Sequence, residues 1–191
     1  MKLLLHACCA PCSIQCALAL ASDGIQLCLL WYNPNIHPYS EYCSRLDALR
    51  KFAGEKNLLL INELNEYPQT IRDNPCNSVM PFFNLEKPER CVLCYRVRLE
   101  KTVQAAAKNG YDAFSTTLLI SPYQNHELLR QIGDELTLTS GPEFLYRDFR
   151  SLFRKGQSQA REAGYYMQKH CGCFLSKEER YNCGQKANNI Q

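Results

Sequence analysis

Apolar and polar positions along the chain alternate between two rhythms. Residues 2–7 form a short apolar run typical of a strand, and 13–22 repeat with the spacing of a helix. The same alternation predicts a strand over 25–32, a helix over 39–56 and a strand over 58–61. A long helix over 89–109 is closed by Gly110 and has Pro88 near its start. A strand over 113–120, a helix over 125–136, a strand over 143–146 and a helix over 151–165 complete the pattern. Repeated strand–helix alternation calls for a parallel sheet with helices on both faces, the doubly wound α/β class. The stretch 63–86 has turn residues, Cys76 and little period, and reads as a lid or a loop packed over a site. One α/β domain over 1–175 followed by a polar tail over 176–191 is the expected organisation.

Composition narrows this picture. With 191 residues, 46% of them hydrophobic, the chain is long enough to bury one substantial core. Twelve cysteines would mean a disulfide scaffold in a short secreted chain. Leu5-His6-Ala7-Cys8 faintly resembles a lipoprotein processing site, but only three consecutive leucines precede it, against the ~7–15 residues of an export signal. No run approaches the ~18 apolar residues of a membrane span. The expectation is a soluble cytoplasmic protein with reduced thiols. The net charge of +3 is unevenly spread: residues 146–186 carry nine Lys/Arg against four Asp/Glu. This basic third, with Arg147, Arg150, Arg154, Lys155, Arg161 and Lys169, suits either a phosphate backbone or a solvated face.

The cysteines fall into three groups at predicted element ends: Cys8, Cys9 and Cys12; Cys91 and Cys94; Cys171 and Cys173. In open α/β sheets ligands bind beyond the carboxyl ends of the strands, where the first group lies. Nucleotide-binding relatives carry a glycine-rich loop there, and no such pattern is present. Cys91 and Cys94, three apart at a helix start, share a face next to the positive helix end. With Cys8 and Cys9 they make four sulfur donors, as a [4Fe–4S] cluster or a four-cysteine zinc site requires. Neighbours on a straight strand point to opposite faces, so Cys8 and Cys9 can both ligate only if the chain turns there. Cys171-Gly172-Cys173 needs a bend at the glycine to form a disulfide, and a bridge made so is strained. Such a pair suits dithiol–disulfide cycling or the supply of thiolates to a metal.

Blander readings stand beside these. Cys16, Cys28, Cys43 and Cys76 are expected in the core or to be incidental. Cys9-Ala10-Pro11-Cys12 also fits a thioredoxin-like motif, which leaves the other groups unexplained. His6 and His37 read as core or turn residues, and His170 as a proton donor beside Cys171.

Together, His6-Ala7-Cys8-Cys9-Ala10-Pro11-Cys12, Tyr32-Asn33-Pro34-Asn35-Ile36-His37-Pro38, Arg90-Cys91-Val92-Leu93-Cys94-Tyr95 with Arg98-Leu99-Glu100, Thr116-Thr117-Leu118 with Ile120-Ser121-Pro122, and Cys171-Gly172-Cys173 resemble the QueH family. These are the epoxyqueuosine reductases that work without cobalamin. The resemblance implies a Rossmann-like fold similar to the adenine nucleotide alpha-hydrolase (HUP) class. It further implies reduction of epoxyqueuosine to queuosine at the tRNA wobble position, with the anticodon stem-loop as partner and an external electron donor. By that resemblance Cys8, Cys9, Cys91 and Cys94 are the [4Fe–4S] ligands and Cys171 and Cys173 the redox-active pair; some members hold a second, mononuclear iron. The chain departs from the family pattern at Met167-Gln168-Lys169-His170 and at His126, positions of substrate contact rather than of metal binding.

Removing the epoxide oxygen takes two electrons and two protons, and only a dithiol among side chains yields both electrons. Asp148, His170 and Tyr166 are the candidate acids for the departing oxygen. A surface salt bridge is the plain alternative for Asp148. The competing functions are a tRNA sulfur-transfer enzyme, which would need a phosphate loop near residue 8, and a zinc-stabilised RNA-binding module.

Overall fold

A computed structural model describes residues 1–63, 89–173, 175–177 and 179. The expected irregular stretch with Cys76 lies outside the described residues apart from Glu63, as does most of the tail.

Five strands, β1 (Lys2–His6), β2 (Gln26–Trp31), β3 (Leu59–Asn62), β4 (Ala113–Thr116) and β5 (Glu143–Phe144), form one sheet in the order β3-β2-β1-β4-β5. Every pairing is parallel. The central strand β1 is flanked on both faces, which is why its Leu3, Leu4 and Leu5 form an unbroken apolar run. Among the described residues, five α-helices cover the sheet: α1 (Ala10–Ser22), α2 (Tyr39–Glu55), α3 (Glu89–Lys108), α4 (His126–Ser140) and α5 (Phe153–Glu162). Helix α1 packs against α2 and α5, and α3 packs against α4. This is the grouping that right-handed crossovers produce when the chain first moves from β1 to β3 and then returns past β1 to β4. Cys16 and Cys28 are buried in the core, as the bland reading expects.

The sheet order reverses beside β1, so the carboxyl ends of β1 and β4 diverge and leave a crevice. Two departures from the sequence reading shape it. Helix α1 begins at Ala10 rather than at residue 13, because Pro11, having no N–H to lose, is well suited to a first helical turn. The strand expected over 113–120 ends at Thr116, and Thr117–Ile120 coil into a 3-10 turn. The Thr116 hydroxyl accepts from Leu118 N at 3.2 Å, turning the chain into the crevice. The final helix is likewise split, with a 3-10 turn at Arg150–Leu152 before α5.

Candidate functional site

His6, the last residue of β1, pairs with Leu30 on one side and Thr116 on the other. Ala7 N still reaches Leu30 O at 2.8 Å, and the chain then turns, with Cys9 capping α1. That turn brings the Cys8 and Cys9 sulfurs to 3.6 Å, so the two adjacent thiols face the same point. Cys12, in the first turn of α1, joins them, and the three sulfurs lie within 4.8 Å of one another, all buried. Cys12 was not among the four ligands expected from sequence. Its spacing from Cys9 is helical once the helix is known to begin at residue 10.

Charge within this trio is uneven. Hydrogen bonds from the Cys12 and Cys9 thiols and from the Thr117 hydroxyl pull Cys8 well below the ordinary thiol range. Burial holds Cys9 well above it, and the bond to Cys8 does the same for Cys12. Cys8 is therefore the most acidic of the three thiols, and its own N–H is fixed to Thr117 Oγ1 at 3.1 Å. Beneath it, His6 Nε2 donates to Tyr32 O at 3.3 Å and Nδ1 accepts from the Thr116 hydroxyl at 2.9 Å. Burial lowers His6 to about 4, so the ring is neutral. Gln168 Nε2 approaches Cys9 Sγ at 2.8 Å and donates to it.

The opposite wall comes from α3, which presents Cys91, Cys94 and Arg98. Burial pushes the Cys94 thiol up, opposed by the charge of Arg98. Arg98 is only 4% exposed, and its Nε donates to Cys94 O at 3.1 Å. Its charge stays on despite burial because it faces Cys94, Cys8 and Cys171, one cysteine from each group. A third wall is the loop carrying Cys171 and Cys173. Gly172 has φ +103 and its carbonyl accepts from His37 N at 2.9 Å. A Cβ there would lie 2.9 Å from Ile36 Cγ1, so the bend that sequence assigned to Gly172 is built on a glycine requirement. Buried Arg45 anchors the same loop, reaching His170 O at 3.0 Å while pairing with Glu41. Cys173 and Ser176 hydrogen bonds drop the exposed Cys171 well below the ordinary thiol range, whereas Cys173, bonded to Cys171, is raised. Neither sulfur is bridged.

The walls enclose a cavity of about 480 Å³ lined by Cys8, Cys12, Cys91, Cys94, Cys171 and Cys173. Cys9 stands just behind, 1% exposed. Of the candidate acids, His170 lines the cavity, with Nδ1 accepting from Gly172 N at 3.0 Å. Tyr166 is not among the lining residues; its hydroxyl donates to Glu41. Asp148 is exposed, absent from the lining and paired with Arg150, whose hydrogen bonds pull its carboxyl down to about 2. Arg147 is paired with Asp23, so two residues of the basic stretch already have partners. Periodicity and spacing carried no signal for two amide oxygens at the cavity, Asn35 Oδ1 and Gln168 Oε1, which are buried and have no hydrogen-bond partner among the described residues. An acceptor left so costs about 1–3 kcal/mol.

An all-sulfur donor set suits zinc or iron rather than magnesium or calcium. A single tetrahedral ion with Zn–S of ~2.3 Å requires sulfurs roughly 3.8 Å apart, near the spacing of the trio. Cys91 and Cys94 add donors from another wall, as a larger inorganic centre would use. The residues therefore fit a metal or iron–sulfur group.

Known proteins are similar to this chain over nearly its whole length. A family model described as epoxyqueuosine reductase QueH matches residues 3–179. The epoxyqueuosine reductase QueH of Dehalococcoides mccartyi is 35% identical over 180 residues, covering 94% of this chain and 94% of its own. That of Thermotoga maritima is 34% identical, over 93% of this chain and 91% of its own. That of Acinetobacter baylyi is 31% identical, over 100% of this chain and 88% of its own.

Proposed function

The chain belongs to the QueH family of epoxyqueuosine reductases, and from that premise we propose that it removes the epoxide oxygen of epoxyqueuosine at the tRNA wobble position through the Cys171/Cys173 dithiol. It is an oxidoreductase of queuosine biosynthesis. The observation that carries the mechanism is the cavity onto which cysteines from three distant parts of the chain open.

Both carbon–oxygen bonds of the epoxide break, an alkene forms and the oxygen leaves as water, at a cost of two electrons and two protons. Closing two thiols to a disulfide releases that number of each, so the Cys171/Cys173 pair balances one turnover. An external reductant then reopens the pair, and Cys171, exposed at the rim, is the sulfur it meets. Cys8, Cys9, Cys91 and Cys94 would hold the [4Fe–4S] group, with Cys12 a further donor for a second, mononuclear iron. Such a group, when bound, supplies Lewis acidity toward oxygen and single-electron transfer.

The remaining roles belong to the chain itself. Arg98 balances thiolate charge that burial would otherwise oppose. The amide side chains of Asn35 and Gln168, which line the cavity, are placed to meet polar groups of the modified nucleoside. Among the three candidates His170 alone lines the cavity, and burial lowers its pKa, so it serves as a neutral relay for the protons that the two thiols release. Its Nδ1 accepts from Gly172 N, so Nε2–H is the face turned to the leaving oxygen.

Single turnover tests this reading. Iron-loaded enzyme, reduced and freed of reductant, is mixed anaerobically with tRNA bearing epoxyqueuosine, and the nucleosides are resolved by mass spectrometry. One equivalent of product lacking one oxygen, with a Cys171–Cys173 disulfide in the spent protein, is expected. Bound tRNA that stays epoxidised would leave an RNA-binding module in place of an enzyme.

A further inference from the structure

Tyr123 is 84% exposed, yet it is held in place at the cavity that contains the cysteines. The loop that bears it is fixed from both ends. Ser121 N reaches Leu118 O at 3.1 Å, and Tyr123 N reaches Ser121 Oγ at 3.3 Å. The Tyr95 hydroxyl donates to Gln124 Oε1 at 2.7 Å and accepts from Asn125 N at 3.3 Å. Asn125 Oδ1 in turn caps α4 through Leu128 N at 3.1 Å. The Tyr123 ring stands edge-to-face on Phe153, with centroids 6.1 Å apart and planes at 84°. Phe153 also lines the cavity and is half-buried. The exposed leucines at 18, 59 and 138, by contrast, lie away from the cavity.

We propose that the Tyr123 ring, braced by Phe153 at the cavity mouth, is a stacking platform for an unpaired nucleobase next to the one that enters the cavity. This rests on the reading of tRNA as substrate and adds a contact site to it. A base that reaches a buried centre must leave its stack, and its neighbours lose a stacking partner when it does. An exposed aromatic face beside the point of entry replaces that partner without regard to sequence. The surroundings suit a nucleic acid better than an apolar peptide. Arg154 and Lys155 directly follow Phe153 on α5, are exposed and form no ion pair among the described residues. Among the described residues Tyr123 is the one exposed large apolar side chain that lines the cavity, which matches one base.

The test is a coupling measurement on the full-length, iron-loaded protein. Labelled anticodon stem-loop RNA is titrated by fluorescence anisotropy against wild type, Tyr123→Ala and Tyr123→Phe. The RNA is either intact or abasic at the position just 5′ or just 3′ of the wobble nucleotide. Tyr123→Ala should weaken binding of intact RNA about tenfold, whereas Tyr123→Phe should bind as wild type does because the ring and not the hydroxyl is used. At one of the two abasic positions the RNA should lose about tenfold with wild type and nothing further with Tyr123→Ala. Equal affinity of Tyr123→Ala and wild type for intact RNA overturns the platform alone, as do losses that simply multiply at both positions. A wild-type protein that binds none of these RNAs overturns the platform and the tRNA reading together. Because Tyr123 is exposed, unchanged thermal unfolding of both variants is expected and separates a binding effect from misfolding.

Discussion

Gly172 decides whether two cysteines face the cavity. Its φ of +103 and the 2.9 Å approach of Ile36 Cγ1 to a notional Cβ leave no room for a side chain. Gly172→Ala should cost about 1–3 kcal/mol, with the strain falling on the loop. The check is the urea midpoint together with the rate at which Cys171 is alkylated; unchanged values for both would mean the bend is unimportant. Histidines set a pH limit at the same scale. Burial lowers His6 and His37 from 6.5 to about 4. A base kept neutral by the fold gains its proton more readily once unfolded, so its contribution is complete above about 6.5 and is lost as pH falls toward 4. For fully buried His6 the loss is about 3 kcal/mol. Metal-free protein should show this acid loss in denaturant titrations, with a shallower dependence in His6→Asn; an identical dependence in that variant would contradict the assignment. Cysteine identities were readable from sequence as three groups. Arg98 and Asn35 stood in the quoted motifs, but the burial of Arg98 and of Asn35 Oδ1 was not readable, because burial of a polar side chain depends on partners far along the chain.

At the scale of elements, the end of β4 shows what periodicity can and cannot convey. The apolar run over 113–120 continues through the point where strand becomes 3-10 turn, since both are buried, and alternation alone cannot mark the change. The Thr116 hydroxyl makes it, accepting from Leu118 N and donating to His6. Thr116→Val should therefore destabilise the protein by about 1–3 kcal/mol, measured by chemical denaturation, and a neutral effect would show that the turn forms without it. Parallel alternation conveyed the class of fold and placed the first thiols at a strand end. It did not reveal that α1 starts at Ala10, and so it left Cys12 out of the expected donors, although that start brings it to Cys8 and Cys9. The C-terminal loop could be named as redox chemistry but not positioned, because its anchor is Arg45 of α2, more than a hundred residues away.

For the whole molecule, the sheet order brings thiols from near both ends of the chain onto one cavity, with Arg98 facing a cysteine of each group. The basic third should still make RNA binding weaken as salt rises. Arg147 and Arg150 are already paired with Asp23 and Asp148, so replacing either with Ala should change affinity little. Affinity that stays flat across a salt titration would remove the basic stretch from the account. The most direct test of the central claim is iron and sulfide content after anaerobic reconstitution of wild type, Cys91→Ser and Cys173→Ser. The account predicts a brown wild-type protein with about four iron per chain, loss of that iron in Cys91→Ser and its retention in Cys173→Ser. A colourless protein with a single zinc, or iron content unaffected by Cys91→Ser, would contradict it.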